Sequence, residues 1–160
     1  MASINGISLR NLKTFEGRHG IPLAKGDVYY KGKKLGSWSQ DYSGGEDDYG
    51  FSESLLDDVM KKYRLAKGNR FASLGLLLEE LFNLTETEKV FKKAVKDGFQ
   101  SMVVISMPWE DRITKCRTDD KELALYMVKD QIEAAKAEVS SPDDVTVKVY
   151  TSLDDFAIEY

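Results

Sequence analysis

The sequence predicts an α+β domain, with N-terminal antiparallel strands, central helices and a C-terminal β-α-β crossover in a mixed sheet. Three observations carry this expectation. Alternating and β-branched runs punctuated by glycine fill the first third. Apolar residues at helical spacing fill the middle, and two valine-bearing runs flank a helical stretch near the end. At 160 residues, 42% hydrophobic and 31% charged, the chain is long enough for a single domain spanning 1–160 with its own core.

Taken in order, Ile7 and Leu9 alternate with polar neighbours, and the apolar signal resumes out of phase from Leu12 to Phe15, as a bulge causes. Gly17, Gly20 and Pro22 mark a loop. Residues 27–30 and 34–39 flank Lys31-Gly32-Lys33 and read as a hairpin. Residues 41–50 are a polar connection leading to a brief strand at 49–51.

Ser52 then reads as an N-cap, with Leu55, Leu56, Val59, Met60 and Tyr63 on one helical face and Lys67-Gly68-Asn69 as the stop. Residues 71–84 are apolar on more than one side and read as a buried helix. Thr85 and Glu88 have capping-box spacing, which predicts a fresh helix that runs to Gly98. Residues 102–107 are a continuous apolar run, expected of a strand covered on both faces. Asp119 with Glu122 starts a helix whose inner face is Leu125, Val128, Ile132 and Ala135, and Ser140-Ser141-Pro142 ends it. Val145, Val147 and Val149 alternate with polar residues as a half-buried strand. The lengths of 102–107, 119–138 and 144–150 suit a crossover unit, which makes the two strands parallel neighbours.

Composition narrows the function classes. No apolar stretch is long enough to span a membrane, and residues 1–13 lack the basic start and apolar core of a secretory signal, so a cytoplasmic protein without membrane contact is expected. A lone cysteine, Cys116, excludes an internal disulfide framework, and a lone histidine, His19, excludes His-rich metal sites. Charge is unevenly divided. Residues 1–40 hold seven basic against two acidic groups, a balance of +5, whereas residues 130–160 hold eight acids against two lysines, a balance of −6. Such asymmetry can steer a charged partner.

The stretch 38–49 packs four carboxylates, two glycines and three aromatics into twelve residues. Trp38, Tyr42 and Tyr49 are candidate interface anchors, and Asp41, Glu46, Asp47 and Asp48 are the oxygen donors that a hard cation wants. The glycines precede the acids, so the loop is not an EF-hand, and no metal site is assigned. Arg10, Lys13, Arg18, Lys31, Lys33 and Lys34, interleaved with Phe15, Tyr29 and Tyr30, read as a strand-borne platform for nucleic acid. His19 lies in a glycine-rich loop. Cys116 sits between the cations Lys115 and Arg117, but its one histidine partner is almost a hundred residues away. Phosphate-loop and dinucleotide-binding glycine patterns are absent, so no cofactor and no catalytic residue is assigned.

The stretch Ile7-Ser8-Leu9-Arg10-Asn11-Leu12-Lys13-Thr14-Phe15-Glu16-Gly17-Arg18-His19-Gly20, with Tyr30-Lys31-Gly32-Lys33-Lys34-Leu35-Gly36, resembles the start of small uncharacterised proteins of bacteriophages and bacterial mobile elements. The resemblance covers about the first 50 residues and implies an accessory protein that binds a host or phage macromolecule. Three functions follow in order of preference. The first is a non-catalytic protein acting on a protein partner through the N-terminal sheet and the 38–49 loop. The alternative is a nucleic-acid-binding module using the basic strands, and the third is a metal-dependent enzyme using the 41–48 loop. Placement separates them: basic groups gathered on one exposed sheet face favour nucleic acid, and carboxylates converging in a cleft favour chemistry.

Overall fold

A computed structural model describes residues 1–160. Its first elements are β1 (Ser3–Ile4), β2 (Ile7–Glu16), β3 (Pro22–Tyr30), β4 (Lys33–Ser39) and β5 (Asp48–Tyr49). Two helices follow, α1 (Asp57–Lys67) and α2 (Leu74–Lys96), then β6 (Ser101–Ser106) and β7 (Asp111–Cys116). The chain closes with α3 (Lys121–Met127), α4 (Lys129–Glu138), β8 (Thr146–Tyr150) and β9 (Ala157–Ile158). The class is α+β, as the sequence predicts. No helix is long and apolar enough to cross a membrane. The chain divides into two compact units, one made of Met1–Glu86 with Phe156–Tyr160 and the other of Thr87–Asp155.

The first unit is built on a mixed sheet of order β5-β4-β3-β2-β1-β9, in which only β1 and β9 run parallel. Two tight turns set its register. Asn5-Gly6 joins β1 to β2 and Lys31-Gly32 joins β3 to β4, each with both central residues at positive φ, a turn whose twist matches that of the strands. The anticipated bulge in β2 falls between Arg10 and Lys13. Asn11 takes φ 53 there, and its side-chain amide donates to Asp27 Oδ2 at 2.8 Å. Alternation then puts Ile7, Leu9, Val28 and Trp38 on the core face. Gly36 permits the close passage of the next segment, since a Cβ there would lie 2.6 Å from the Gly50 carbonyl oxygen.

Val59, Met60 and Tyr63 of α1 are buried, as is Leu56 just before it, but Leu55 is exposed because residues 53–56 form a 3-10 turn that rotates it outward. The predicted restart at Thr85 does not occur. The Thr85 hydroxyl donates back to the Leu81 carbonyl at 2.7 Å instead of capping a new N-terminus, so α2 runs unbroken for 23 residues. Its true start is marked by Ser73, whose Oγ accepts from the Leu76 N–H.

The second unit carries a three-stranded antiparallel sheet of order β7-β6-β8. β6 and β8 are neighbours, as expected, but they are antiparallel, which corrects the parallel pairing. The unassigned strand β7 explains the difference: it folds back on β6 before the helices begin, so the crossover starts from β7 and ends in β8, with β6 between them. Val103, Ile105, Cys116, Ala124, Val128 and Ala135 form the core, with Ile132, Val147 and Val149 packed against it. Leu125 is exposed and Ala124 takes its inward place, because the helix breaks at Val128 (φ −109, ψ 10) and Asp120, not Asp119, is the N-cap.

Candidate functional site

The β4–β5 loop and the start of α2, both in the first unit, enclose a cleft of about 400 Å³. Glu46, Asp47 and Tyr49 line it from the loop, Glu53 from the following turn, and Gly75 and Glu79 from α2. The loop is shaped by its own side chains. Asp41 Oδ2 accepts from the Ser43 hydroxyl and from the Gly45 N–H, both at 2.8 Å, and these bonds, the Ser43 hydroxyl foremost, hold the Asp41 carboxyl below its ordinary range. The Trp38 indole N–H donates to Asp47 Oδ2 at 2.9 Å. Gly75 lets that carboxylate reach the helix, since a Cβ on Gly75 would stand 2.8 Å from Asp47 Oδ2 and 3.4 Å from the Tyr49 hydroxyl. Burial, then the charges of Asp47, Glu53 and Glu46, push the Tyr49 phenol well above its ordinary value, so it remains a neutral hydrogen-bond donor.

Of the seven loop residues singled out from sequence, the cleft therefore gathers three, Glu46, Asp47 and Tyr49. Trp38 is 1% exposed and is not a surface anchor; a strand position on the core face and an internal acceptor for its N–H account for that. Asp41 closes its own turn, Asp48 sits exposed on β5, and Tyr42 stands 60% exposed. No three His, Cys, Asp or Glu side chains are grouped so as to hold a metal ion, so the loop acids do not assemble the donor set that the metal-enzyme reading requires. Glu53, Gly75 and Glu79 are not among the site residues that the sequence singles out. Only a glycine in the first turn of an apolar helix hinted at a close approach there.

The basic residues are placed differently. Cross-strand pairs Lys13↔Lys25, Arg10↔Asp27 and Tyr29↔Lys34 put four cations on the outer face of three adjacent strands, opposite the core. All four are exposed. The one acid among them, Asp27, is tied to Asn11 and, at 3.4 Å, to Lys34. The Asn11 hydrogen bond, opposed by a smaller effect of burial and aided by Lys34, holds its carboxyl below the ordinary range. Arg10 lies 4.2 Å over the Tyr29 ring and Lys25 5.6 Å from that of Phe15. Lys31 and Lys33 are exposed at the β3–β4 turn, and Arg18 is exposed in the β2–β3 link, where its N–H bonds the Tyr42 carbonyl.

Neither sulfur nor imidazole joins these surfaces. Cys116 is buried in the core of the second unit, and His19 is exposed in its loop at φ 62. What the fold and these surfaces define is an α+β protein with one acidic cleft and one basic sheet face in the same unit. No family of known proteins matches the chain, and neither does any curated protein or solved structure.

Proposed function

We propose that this protein acts by binding a macromolecular partner rather than by catalysis, and that the outer face of β2, β3 and β4 takes a nucleic-acid strand. One observation carries the reading: Arg10, Lys13, Lys25 and Lys34 lie together on an exposed sheet face whose single acid is already paired. Cations of one sign on a sheet track phosphates, and the Arg10 guanidinium beside the Tyr29 ring puts a cation next to an aromatic on which a base can stack. The resemblance of the first 50 residues to phage and mobile-element proteins fits an accessory role of this kind.

Titration of a labelled single-stranded oligonucleotide across a salt series tests it. Wild type should bind with log K falling as log salt rises, by about 0.7 per phosphate contact. Replacing Arg10, Lys13, Lys25 and Lys34 by Gln should flatten that slope by up to about four contacts. Wild type that shows no salt-dependent binding at low ionic strength would overturn the reading.

A second reading, a protein partner that inserts a basic side chain into the acidic cleft, is favoured by Tyr42, which is exposed in the same β4–β5 loop. In that case Glu46→Gln with Glu79→Gln weakens partner binding, and the sheet-face variant does not.

A further inference from the structure

The two most exposed large apolar side chains in the protein, Leu65 at 83% and Phe71 at 79%, lie on one groove of about 830 Å³, where α1 ends and the chain turns into α2. Lys61, Arg64 and Arg70 also line it, and no acidic residue does. This arrangement is unusual in a chain of net charge −4.

The groove is built rather than left over. Gly68 ends α1 at φ 62, the Gly68 N–H reaches the Leu65 carbonyl at 3.2 Å, and the Asn69 N–H reaches the Arg64 carbonyl at 3.0 Å. Asn69 Oδ1 accepts from the Phe71 N–H at 3.0 Å, and Arg64 Nε donates to the Ala72 carbonyl at 2.8 Å. Each bond fixes backbone on one side or the other of Phe71, so the ring is held out in water by a satisfied loop. The Arg70 guanidinium lies 4.7 Å from the Phe71 ring centroid.

We infer that this groove is a docking site for an acidic peptide segment, with an apolar side chain seated between Leu65 and Phe71 and flanking carboxylates on Lys61, Arg64 and Arg70. Charge complementarity selects this occupant, since every ionic group lining the groove is cationic. Exposed apolar surface rimmed by polar groups marks an interaction site, and aromatic and arginine side chains carry much of the energy of such sites. The inference concerns a surface other than the sheet face and stands independently of the reading proposed for it.

The test uses the full chain, labelled with ¹⁵N and followed by NMR. It is titrated separately with a peptide carrying Phe and Leu between glutamates, the same peptide with lysines in place of glutamates, a single-stranded oligonucleotide, and phosphatidylserine–phosphatidylcholine vesicles. The glutamate peptide should shift amides in 61–72 and weaken with salt, and the lysine peptide should not bind there. Phe71→Ala should weaken binding by at least about tenfold, as loss of a central anchor does. Lys61→Gln with Arg70→Gln should weaken it several-fold while leaving the fold intact by its spectrum. Absence of shifts in 61–72 with millimolar glutamate peptide would overturn the inference. So would equal binding of the lysine peptide, or a response of these amides to vesicles or oligonucleotide that exceeds the response to the peptide.

Discussion

Trp38 and Phe71 sit beside polar, glycine-bearing loops of the same unit, and they end in opposite environments. Trp38 occupies the core face of β4, and its one polar atom is satisfied by Asp47 within the protein. Phe71 has no polar atom to satisfy, and its loop is completed by backbone bonds and the Asn69 side chain, so nothing internal draws the ring inward. The difference teaches that an aromatic in a polar stretch is read by its strand parity and its donor, not by the stretch itself. The acidic loop is held by its aromatic, whereas the basic groove displays one.

The largest effect that would break this comparison is on stability. Trp38→Ala should cost about 3–5 kcal/mol in urea denaturation, whereas Phe71→Ala should fall within about 0.5 kcal/mol of wild type. Equal losses would show that both rings are structural. Next, Asp47→Ala leaves the buried indole N–H without its acceptor and should cost about 1–3 kcal/mol, while Asp47→Asn keeps an oxygen there and should cost less.

A smaller effect sharpens the role of Gly75. Replacing a glycine within a helix by alanine ordinarily gains about 0.5–1 kcal/mol. Here the added methyl meets Asp47 at 2.8 Å, so Gly75→Ala should gain nothing or lose, and indole fluorescence should change with it. A clean gain would mean that the cleft wall is not anchored as described.

The smallest effect is local and depends on pH. The Asp41 carboxyl, held low by the Ser43 hydroxyl and then by the Gly45 N–H, keeps its loop bonds at neutral pH. A carboxyl whose pKa is lowered by folding contributes above its unfolded value and loses that contribution as pH falls through the folded one. The Gly45 amide should therefore titrate with a midpoint below the ordinary aspartate value, and Asp41→Asn should abolish that step. A midpoint at or above the ordinary value would show an open loop.

Much of the fold was legible because it is local. The β2 bulge, the Lys31-Gly32 turn and the doubly covered β6 each follow from a few adjacent residues. Asn5-Gly6, a strong hairpin signal, passed unread because the strand before it is only two residues long. The direction of β8 depended on β7, whose short polar-rich run gives a weak alternation. The acid-rich loop announced itself by composition, but its cleft needs Glu53, Gly75 and Glu79, which only tertiary packing brings near. Phe71 reads as the first residue of a buried helix over 71–84, but Ser73 starts α2 and leaves Phe71 exposed before it. Leu65 lies off the stripe of Val59, Met60 and Tyr63, and that mismatch is the one sign in α1 of an apolar side chain left in water.

The pairing of β9 with β1 has a consequence for how the molecule is made. The chain leaves the first unit at Glu86 and returns only at Phe156, to lay Ala157 and Ile158 alongside Ser3 and Ile4. On a ribosome, the strand that completes the first sheet emerges after every residue of the second unit. Until then β1 is an unpaired edge, open to pairing with other nascent chains. Synthesis thus runs through residues 87–155 before β9 exists to cover that edge.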